Sequence, residues 1–252
     1  MFCKIHFTLY LLRMSEKRWQ FIIISAVFIL QYLFEHFFPQ EKKYNNAKRE
    51  LENMLIGILN ILILFIPSIL IVELLDLTQK FQLGLFHLLT IPPVINIILT
   101  VMIMDLAMYF WHRFNHTKAI LWRFHKFHHL DTNLNTTTAF RFHIIELLLS
   151  LFFKSLLFLL LGFSFIPVLI YETLFFVAVV IQHSNIKISV RFDMAYRKIF
   201  SSPLMHRVHH SNIKKETDTN YGSVFSFWDR AFHTYKKEAP RAIIFGVDND
   251  MG

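Results

Sequence analysis

The sequence has a single cysteine, Cys3, among 252 residues. One thiol cannot form a disulfide within the chain or supply a thiolate cluster, so any bound metal must have nitrogen and oxygen ligands. Acidic residues are also few, 18 against 26 lysines and arginines. Few of them lie near the histidines described below. This argues against the carboxylate-bridged dimetal sites of soluble four-helix bundles, which use glutamates and Glu-x-x-His pairs.

The amino terminus lacks a small-residue cleavage site. A basic segment that includes Lys4 and Arg18 precedes a long apolar run, which closes in QYLFEHFFPQ. We therefore expect an uncleaved membrane anchor rather than a signal peptide. Met14 opens an alternative start, MSEKRWQF, and on that interpretation residues 1–13 lie outside the native protein.

More than half of the sequence is apolar. Hydrophobic residues make up 54% of the chain, with 29 phenylalanines, which is too many for an ordinary soluble domain. Apolar runs cover 19–38, 54–75 and 94–111, each near the roughly 20 residues that cross a bilayer. The shorter stretch 81–93 ends in two prolines and is interpreted as re-entrant or interfacial. We expect the region 19–111 to supply the N-terminal membrane helices.

A fourth apolar block, 144–181, is nearly twice the length of one span. Gly162 and Pro167 lie near its middle, so we expect two tightly connected helices. Such a hairpin returns the chain to the face from which it left. The sequence therefore predicts an all-α integral membrane protein with four to five membrane helices and a cytoplasmic histidine-rich cap. We interpret residues 1–252 as a single domain.

Positive charge is concentrated in the loops. The formal net charge is +8, but the charges lie between apolar runs, which favours anionic lipid headgroups over nucleic acid as their partner. Lys42, Lys43, Lys48 and Arg49 precede the second span, and the histidine-rich segments are also basic. The positive-inside tendency therefore places the cap in the cytoplasm. The basic amino terminus conflicts with this, so either the first run is interfacial or charge does not set the orientation.

The carboxyl-terminal residues are DNDMG. They contain no dilysine signal, which favours a bacterial inner membrane over the endoplasmic reticulum.

Histidines occur in three closely spaced boxes. On a helix, residues three and four positions apart share a face, so each box can direct its ring nitrogens to one point. Eight imidazoles are too many for one Fe, Zn, Cu or Ni ion, so the boxes predict two metals side by side. Isolated histidines such as His36 and His87 fit ordinary packing or solvation. The boxes HRFNH, HKFHH and HRVHH contain His112, His116, His125, His128, His129, His206, His209 and His210.

Three other residues are candidates for the same site. His183 follows the predicted hairpin, at the face that holds the boxes, and is the best candidate for an additional ligand. His143 and Glu146 stand three residues apart in RFHIIE. They predict either a ninth ligand or a pair that supports the ligands from outside, and the second alternative is slightly favoured.

Two aspartates accompany the boxes. Asp105 lies seven residues before His112 on the same helix face, within an apolar run where a carboxylate is costly. It is expected either to orient a ligand histidine or to join a structural polar network, for which Tyr109 is a candidate partner. A capping or helix-packing role is an equal alternative. Asp131 follows the second box and can accept a ring N–H from a ligand.

The metal determines which chemistry these histidines support. Neutral imidazole ligands leave most of the positive charge on the metal, which can then bind oxygen-derived anions. Iron would activate dioxygen, whereas zinc, which has no redox chemistry, would favour a membrane hydrolase. A non-catalytic metal-binding or transport protein is a third alternative. It predicts histidines spread along a transmembrane path, whereas these cluster at one face.

The order of the boxes resembles the fatty acid hydroxylase and sterol desaturase superfamily of membrane oxygenases. The resemblance rests on H-x-x-x-H, H-x-x-H-H and H-x-x-H-H, with DLAMYFWHRFNH before and TNYG and WDRAFHTY after, and covers 105–235, including the hairpin. It implies a centre of two iron ions that uses O2 to hydroxylate or desaturate a lipid. It also implies electrons from a separate electron-transfer protein with an NAD(P)H-dependent reductase, since spans and cap account for the chain length.

The same resemblance concerns individual positions. It implies that the eight box histidines are iron ligands and that His183 matches an additional histidine between boxes. Ile144 replaces the proline of an R-x-H-P-x-E pattern that contains His143. His233, in FHTY, replaces a more usual glycine, and Leu130 stands where a serine is common. No departure removes a box histidine, so we expect activity to be retained.

Overall fold

The structure, a computed structural model, describes residues 2–42, 46–239 and 242–248, with side chains from Glu16 onward. Lys43 and the terminal NDMG lie outside the described residues. Among those described there is no strand, and extended pairing is limited to three isolated β-bridges. The predicted all-α class is confirmed. The helices are α1 Phe2–Phe37, α2 Ala47–Lys80, α3 Pro93–Thr117, α4 Ala119–His129, α5 Ile144–Leu161, α6 Phe165–His183, α7 Val190–Tyr196, α8 Pro203–His209, α9 Lys214–Thr217 and α10 Phe227–Ala231, with 3₁₀ turns at Leu85–Leu88 and Thr136–Phe140.

Five helical segments of the described chain are long and apolar enough to cross a membrane. Their outer faces carry many exposed apolar side chains, such as Phe21 and Phe65, which are 71% and 64% exposed. Lipid, unlike water, solvates such faces without cost. The prediction of four to five membrane helices is confirmed, and the chain is an integral membrane protein. The segments are Glu16–Phe37, Ala47–Leu88, Pro93–Thr117, Ile144–Leu161 and Phe165–His183.

Helix α2 is longer than the predicted span 54–75. Its 34 residues extend about 51 Å at 1.5 Å per residue. The side chain of Asn46 caps its start by accepting from the Arg49 N–H at 3.2 Å. Polar side chains in the first turns, Glu50 and Asn53, are buried and bond to residues after α4. We call residues 118–143 and 184–239, which lie outside the spans, the cap. Helix α2 therefore joins the membrane region to the cap.

The stretch 81–93 closes over the tip of the α5–α6 hairpin. Gly84 has φ +98, and a Cβ there would lie 2.2 Å from the Gly162 nitrogen, so only glycine permits this approach. Gln79 donates to the carbonyls of Gly162 and Phe163, each at 3.2 Å. The stretch 81–93 is thus held against the turn that joins α5 and α6.

The long apolar block folds as two helices, with the break at Gly162. This residue ends α5 in the left-handed conformation, φ +72, and its N–H donates to the Phe158 carbonyl at 2.9 Å. Helix α6 then packs against α3 around buried Met104 and Tyr171. The hairpin returns the chain to the end of the bundle where α3 finishes, and α8 follows there.

Candidate metal centre

Nine histidines meet at this end of the bundle in two groups. Within each group, every residue offers one ring nitrogen, and these nitrogens lie within 4.8 Å of one another. The nine are the eight box residues and His183, which joins the second group. The first group is His112, His116, His125, His129 and His209, and the second group is His128, His183, His206 and His210.

Each H-x-x-H-H box contributes to both groups. On α4, His125 and His129 are four residues apart and face the first group, while His128 faces the second. The third box divides in the same way, with His209 alone directed to the first group. Residues four apart share a helix face, whereas adjacent residues diverge by about 100°. One short helix can therefore supply ligands to two metals.

The ring nitrogens of the second group converge on one point. Nε2 of His183 lies 3.0 Å from Nε2 of His128 and 3.0 Å from Nε2 of His206. Nε2 of His206 in turn lies 3.1 Å from Nε2 of His210. Lone pairs of neutral imidazoles repel at such distances unless a proton or a cation lies between them. The convergence fits a cation bound by Nε2 atoms.

The opposite nitrogen of several rings points to an oxygen. An N–H donated from Nδ1 fixes the tautomer that leaves the Nε2 lone pair directed inward, as in metal-binding histidines. The structure thus holds ring orientation through contacts outside the groups. The Nδ1 pairs are His112 with the Tyr221 carbonyl at 2.9 Å, His125 with Glu146 at 2.7 Å, His128 with the Arg141 carbonyl at 3.1 Å, His183 with the Val179 carbonyl at 2.6 Å and His209 with the Thr219 carbonyl at 2.7 Å.

Burial favours the uncharged form of five histidines in the second and third boxes. It lowers the pKa of His209 to about 3. For the other four, burial is again the first cause of a pKa well below the ordinary value, and neighbouring imidazoles lower it further. Neutral imidazole is the form that binds metal. These other residues are His128, His129, His206 and His210.

Several inward nitrogens are buried without a hydrogen-bond partner in the described chain. They include Nε2 of His209 and Nε2 of His116, whose Nδ1 lies 3.5 Å from an Asp218 carboxylate oxygen. A buried polar atom without a partner is costly, and most such atoms in native proteins are satisfied. A metal ion would supply the partner, so these nitrogens fit a metal in the first group.

The two residues of RFHIIE have separate positions. Glu146 accepts from Nδ1 of His125, and its second oxygen, Oε2, is buried without a hydrogen-bond partner in the described chain. His143 caps α5 by accepting from the Ile145 N–H at 3.2 Å, and its ring packs on Phe124 and Phe127. The structure therefore brings Glu146 to the histidines and leaves His143 outside both groups.

Asp105 and Asp131 hydrogen-bond to other partners instead of histidines. Asp105 accepts from the backbone N–H groups of Val224 and Phe225 and from Trp228 Nε1, each at 3.0 Å. This is the structural alternative that the sequence left open. The expectation that Tyr109 is the partner of Asp105 is wrong, because the Tyr109 hydroxyl lies 2.7 Å from the Thr234 hydroxyl and hydrogen-bonds to it. Asp105 thus ties α3 to the segment before α10.

Asp131 connects the cap to α2. It accepts from Arg49 Nε at 3.0 Å, from Asn53 Nδ2 at 2.8 Å and from the Thr138 hydroxyl at 2.8 Å. The sequence predicted that Asp131 accepts a ring N–H from a ligand histidine, whereas these three donors are not histidines. Sequence proximity to the second box does not decide its orientation, because α4 ends at His129 and the chain turns away.

The sequence assigned no role to Asp229, which organises the end of the cap. It accepts from the N–H groups of Tyr221 and Gly222 at 2.7 and 3.0 Å and from the Thr234 hydroxyl at 2.7 Å. Burial raises the pKa of Asp229 to about 6, against the opposing effect of these hydrogen bonds. The carbonyl of Tyr221 accepts from His112, so Asp229 indirectly positions a member of the first group. In the sequence, the carboxylate within the aromatic segment FWDRAF could have indicated this role.

A cavity of about 570 Å³ connects the histidines to the membrane region. His112, His125 and His128 line it at the cap. Its wall otherwise comes mainly from apolar side chains of α1, α2, α5 and α6, and it continues along α5 as far as Lys154. The candidate metal centre therefore opens toward the bilayer side of the protein.

The fold and site define a class: an integral membrane protein with two groups of buried histidines beside an apolar cavity. Residues 97–234, more than half of the chain, match the model of the fatty acid hydroxylase family. The chain belongs to that family.

Several curated proteins are similar to this chain. An ornithine lipid hydroxylase from Rhizobium tropici is 31% identical over 147 residues, 57% of this chain and 43% of that protein. Alkylglycerol monooxygenase from Danio rerio is 32% identical over 148 residues, 59% of this chain and 32% of that protein. The Homo sapiens alkylglycerol monooxygenase is 28% identical over 162 residues, 58% of this chain and 32% of that protein. The chain spans less than half the length of these relatives. No solved structure matches it.

Proposed function

We propose that this protein is a membrane-bound diiron oxygenase that hydroxylates a lipid. The observation that carries the proposal is the pair of adjacent, buried histidine groups at the end of an apolar cavity. Family membership supports oxygen chemistry, and the similar proteins named as a hydroxylase and a monooxygenase favour hydroxylation over desaturation.

Each histidine group would hold one iron ion. Five imidazoles are available to the first ion and four to the second. Bound iron supplies the dioxygen chemistry, which zinc, having no redox states, does not. Glu146 orients His125, and carbonyl oxygens orient four other rings. These hydrogen bonds would hold the ligand rings in orientation.

The chain's other residues would bind and shield the lipid. Hydroxylation converts a C–H bond to C–OH and consumes one O2, two electrons and two protons, with release of one water. Apolar walls that include Phe28, Phe140 and Phe176 hold a hydrocarbon chain and exclude bulk water. Glu146, which orients His125 through Oε1, also lines the cap end of this cavity.

Electrons would reach the cap from a separate electron-transfer protein with an NAD(P)H-dependent reductase. Such carriers are cytoplasmic, so the proposal includes a cap on the cytoplasmic face. Basic loops beside the second span and the boxes support this orientation, and we propose the bacterial inner membrane as the location.

Metal analysis and lipid turnover test the proposal together. We expect two irons per purified chain, O2 consumption with a reduced carrier, and a hydroxylated lipid found by mass spectrometry only in cells that contain the gene. His206→Ala should lose iron and product. His233→Gly, which changes a histidine outside both groups, should retain both. Zinc with hydrolytic turnover would support the hydrolase alternative, and bound metal without turnover would support a binding protein.

A further inference from the structure

An ion pair lies within the membrane-spanning hairpin, away from the histidines. The ammonium of Lys154, on α5, donates to both carboxylate oxygens of Glu172, on α6, at 2.8 and 2.9 Å. Nζ also lies 5.0 Å from the centre of the Phe175 ring. The side chain of Lys154 is 11% exposed and that of Glu172 is 31% exposed. Ionisable residues at membrane depth are costly and commonly functional.

The two charges have different surroundings. Lys154 lines the cavity that begins at the histidines, whereas Glu172 is not among the residues of its wall. Apart from the histidines, the cavity wall is formed largely by apolar side chains such as Leu151 and Phe21, and its polar residues include Ser150 and Ser68. Lys154 therefore contributes a cationic hydrogen-bond donor to a wall that is mainly apolar.

The helix geometry gives the distance of this donor from the reaction site. Glu146, which contacts His125, and Lys154 lie on the same helix, eight residues apart. At 1.5 Å per residue, the separation along the axis is about 12 Å. A hydrocarbon chain whose reacting carbon meets the histidines would pass Lys154 well along its length, far from any headgroup at the membrane surface.

We propose that Lys154 is a specificity-determining residue that binds a hydroxyl or carbonyl oxygen carried on the hydrocarbon chain of the lipid. An ammonium has three N–H donors. Glu172 accepts two and fixes the side chain, so the third is available to the cavity. A site built to donate a hydrogen bond discriminates strongly against an analogue that lacks the acceptor. The inference rests on the proposed function for the identity of the reacting end.

Binding of chain-hydroxylated fatty acids to the full-length protein in nanodiscs tests this role. The probes are octadecanoic acid and a series of its monohydroxy derivatives, with the hydroxyl moved stepwise along the chain, in competition with a fluorescent fatty acid. A hydrogen bond to a charged group contributes roughly 1.5–3 kcal/mol. We therefore expect one hydroxyl position to bind about tenfold to hundredfold more tightly than the unsubstituted acid.

Two double variants separate recognition from a structural clamp. Lys154→Met with Glu172→Leu removes both charges, which avoids an unpaired buried ion. Lys154→Glu with Glu172→Lys retains the pair but moves the ammonium to α6. Both should remain folded by size-exclusion chromatography. The first should lose the preferred hydroxyl position, and the second should shift or weaken it, because a carboxylate at position 154 would accept from a hydroxyl where the ammonium donates.

Three results would overturn the inference: no dependence on hydroxyl position in the wild type, no binding of any probe, or an unchanged preference in either folded double variant. If both double variants unfold, Lys154→Arg provides the test, since it keeps the charge and should shift or weaken the preferred position. Because probe binding needs neither iron nor electrons, positional preference in a protein without iron or turnover would retain this inference while removing the proposed function.

Discussion

Nδ1 of His125 and Oε1 of Glu146 are 2.7 Å apart and join α4 to α5 at the first histidine group. The carboxylate fixes the tautomer that directs Nε2 inward. Asn115 supports the same oxygen from α3, at 3.5 Å. Three helices thus meet at one acceptor.

Glu146→Ala should weaken metal binding without removing a histidine. Loss of a carboxylate that orients a ligand typically costs 10-fold to 100-fold in metal affinity. The measurement is iron retained per chain during titration with a chelator. His143→Asn is the matched control, because it changes the same RFHIIE segment but keeps an oxygen to cap α5, and its iron retention should equal that of the wild type. Equal retention in both variants would show that Glu146 does not orient a ligand.

Asp105→Asn should destabilise the protein through the cap. The carboxylate accepts from two N–H groups before α10 and from that of Trp228 within α10, whereas an amide replaces one acceptor oxygen with an NH2 donor. A buried group left unpaired costs about 1–3 kcal/mol. We expect a lower temperature of thermal unfolding in detergent, with the histidine groups still able to take up metal. Glu238→Gln, at a carboxylate that is 75% exposed, should leave the transition unchanged. If Asp105→Asn unfolds at the same temperature as the wild type, the carboxylate does not anchor the cap.

These contacts show where sequence reasoning reaches its limit. The break at Gly162 was sufficient to bring the third box to the first two. Box spacing predicted that each box converges on one point, which is wrong for both H-x-x-H-H boxes, since each divides between the two groups. The partners of Asp105, and the contacts of Asp131 with Arg49 and Asn53, were not predictable, because they come from segments 78 to 123 residues away in the sequence. Periodicity describes one helix at a time, whereas these hydrogen bonds depend on how helices and loops pack.

The division of the histidines was also beyond the sequence. Spacing indicated two metals, yet the assignment of His128 and His209 to opposite groups depends on the angle between α4 and α8. His183 was placed correctly at the box-bearing face because hairpin topology alone decides it. Its contact with both His128 and His206 required the packing of α6.

His233→Gly should stabilise the cap. His233 follows the end of α10 with φ +58, the left-handed region that costs an ordinary residue about 1–2 kcal/mol. Glycine adopts it freely but loses more entropy on folding, so we expect a net gain of roughly 0.5–1 kcal/mol. Thermal unfolding measures the change. His233→Ala removes the same ring without relieving the backbone and should give no gain. A similar gain from alanine would show that the ring, rather than the backbone conformation, is unfavourable.

Ile144→Pro should be tolerated, and its neighbour Ile145 provides the contrast. Ile144 is the first residue of α5, where proline is favoured because the helix leaves this N–H unpaired. His143 has φ −73 and ψ 132, the extended conformation that precedes proline. A compatible proline stabilises by about 0.4–1 kcal/mol through the unfolded state. In Ile145→Pro, by contrast, the N–H that donates to His143 is lost, so unfolding should occur at a lower temperature. Equal destabilisation by both prolines would show that the start of α5 does not lie at Ile144.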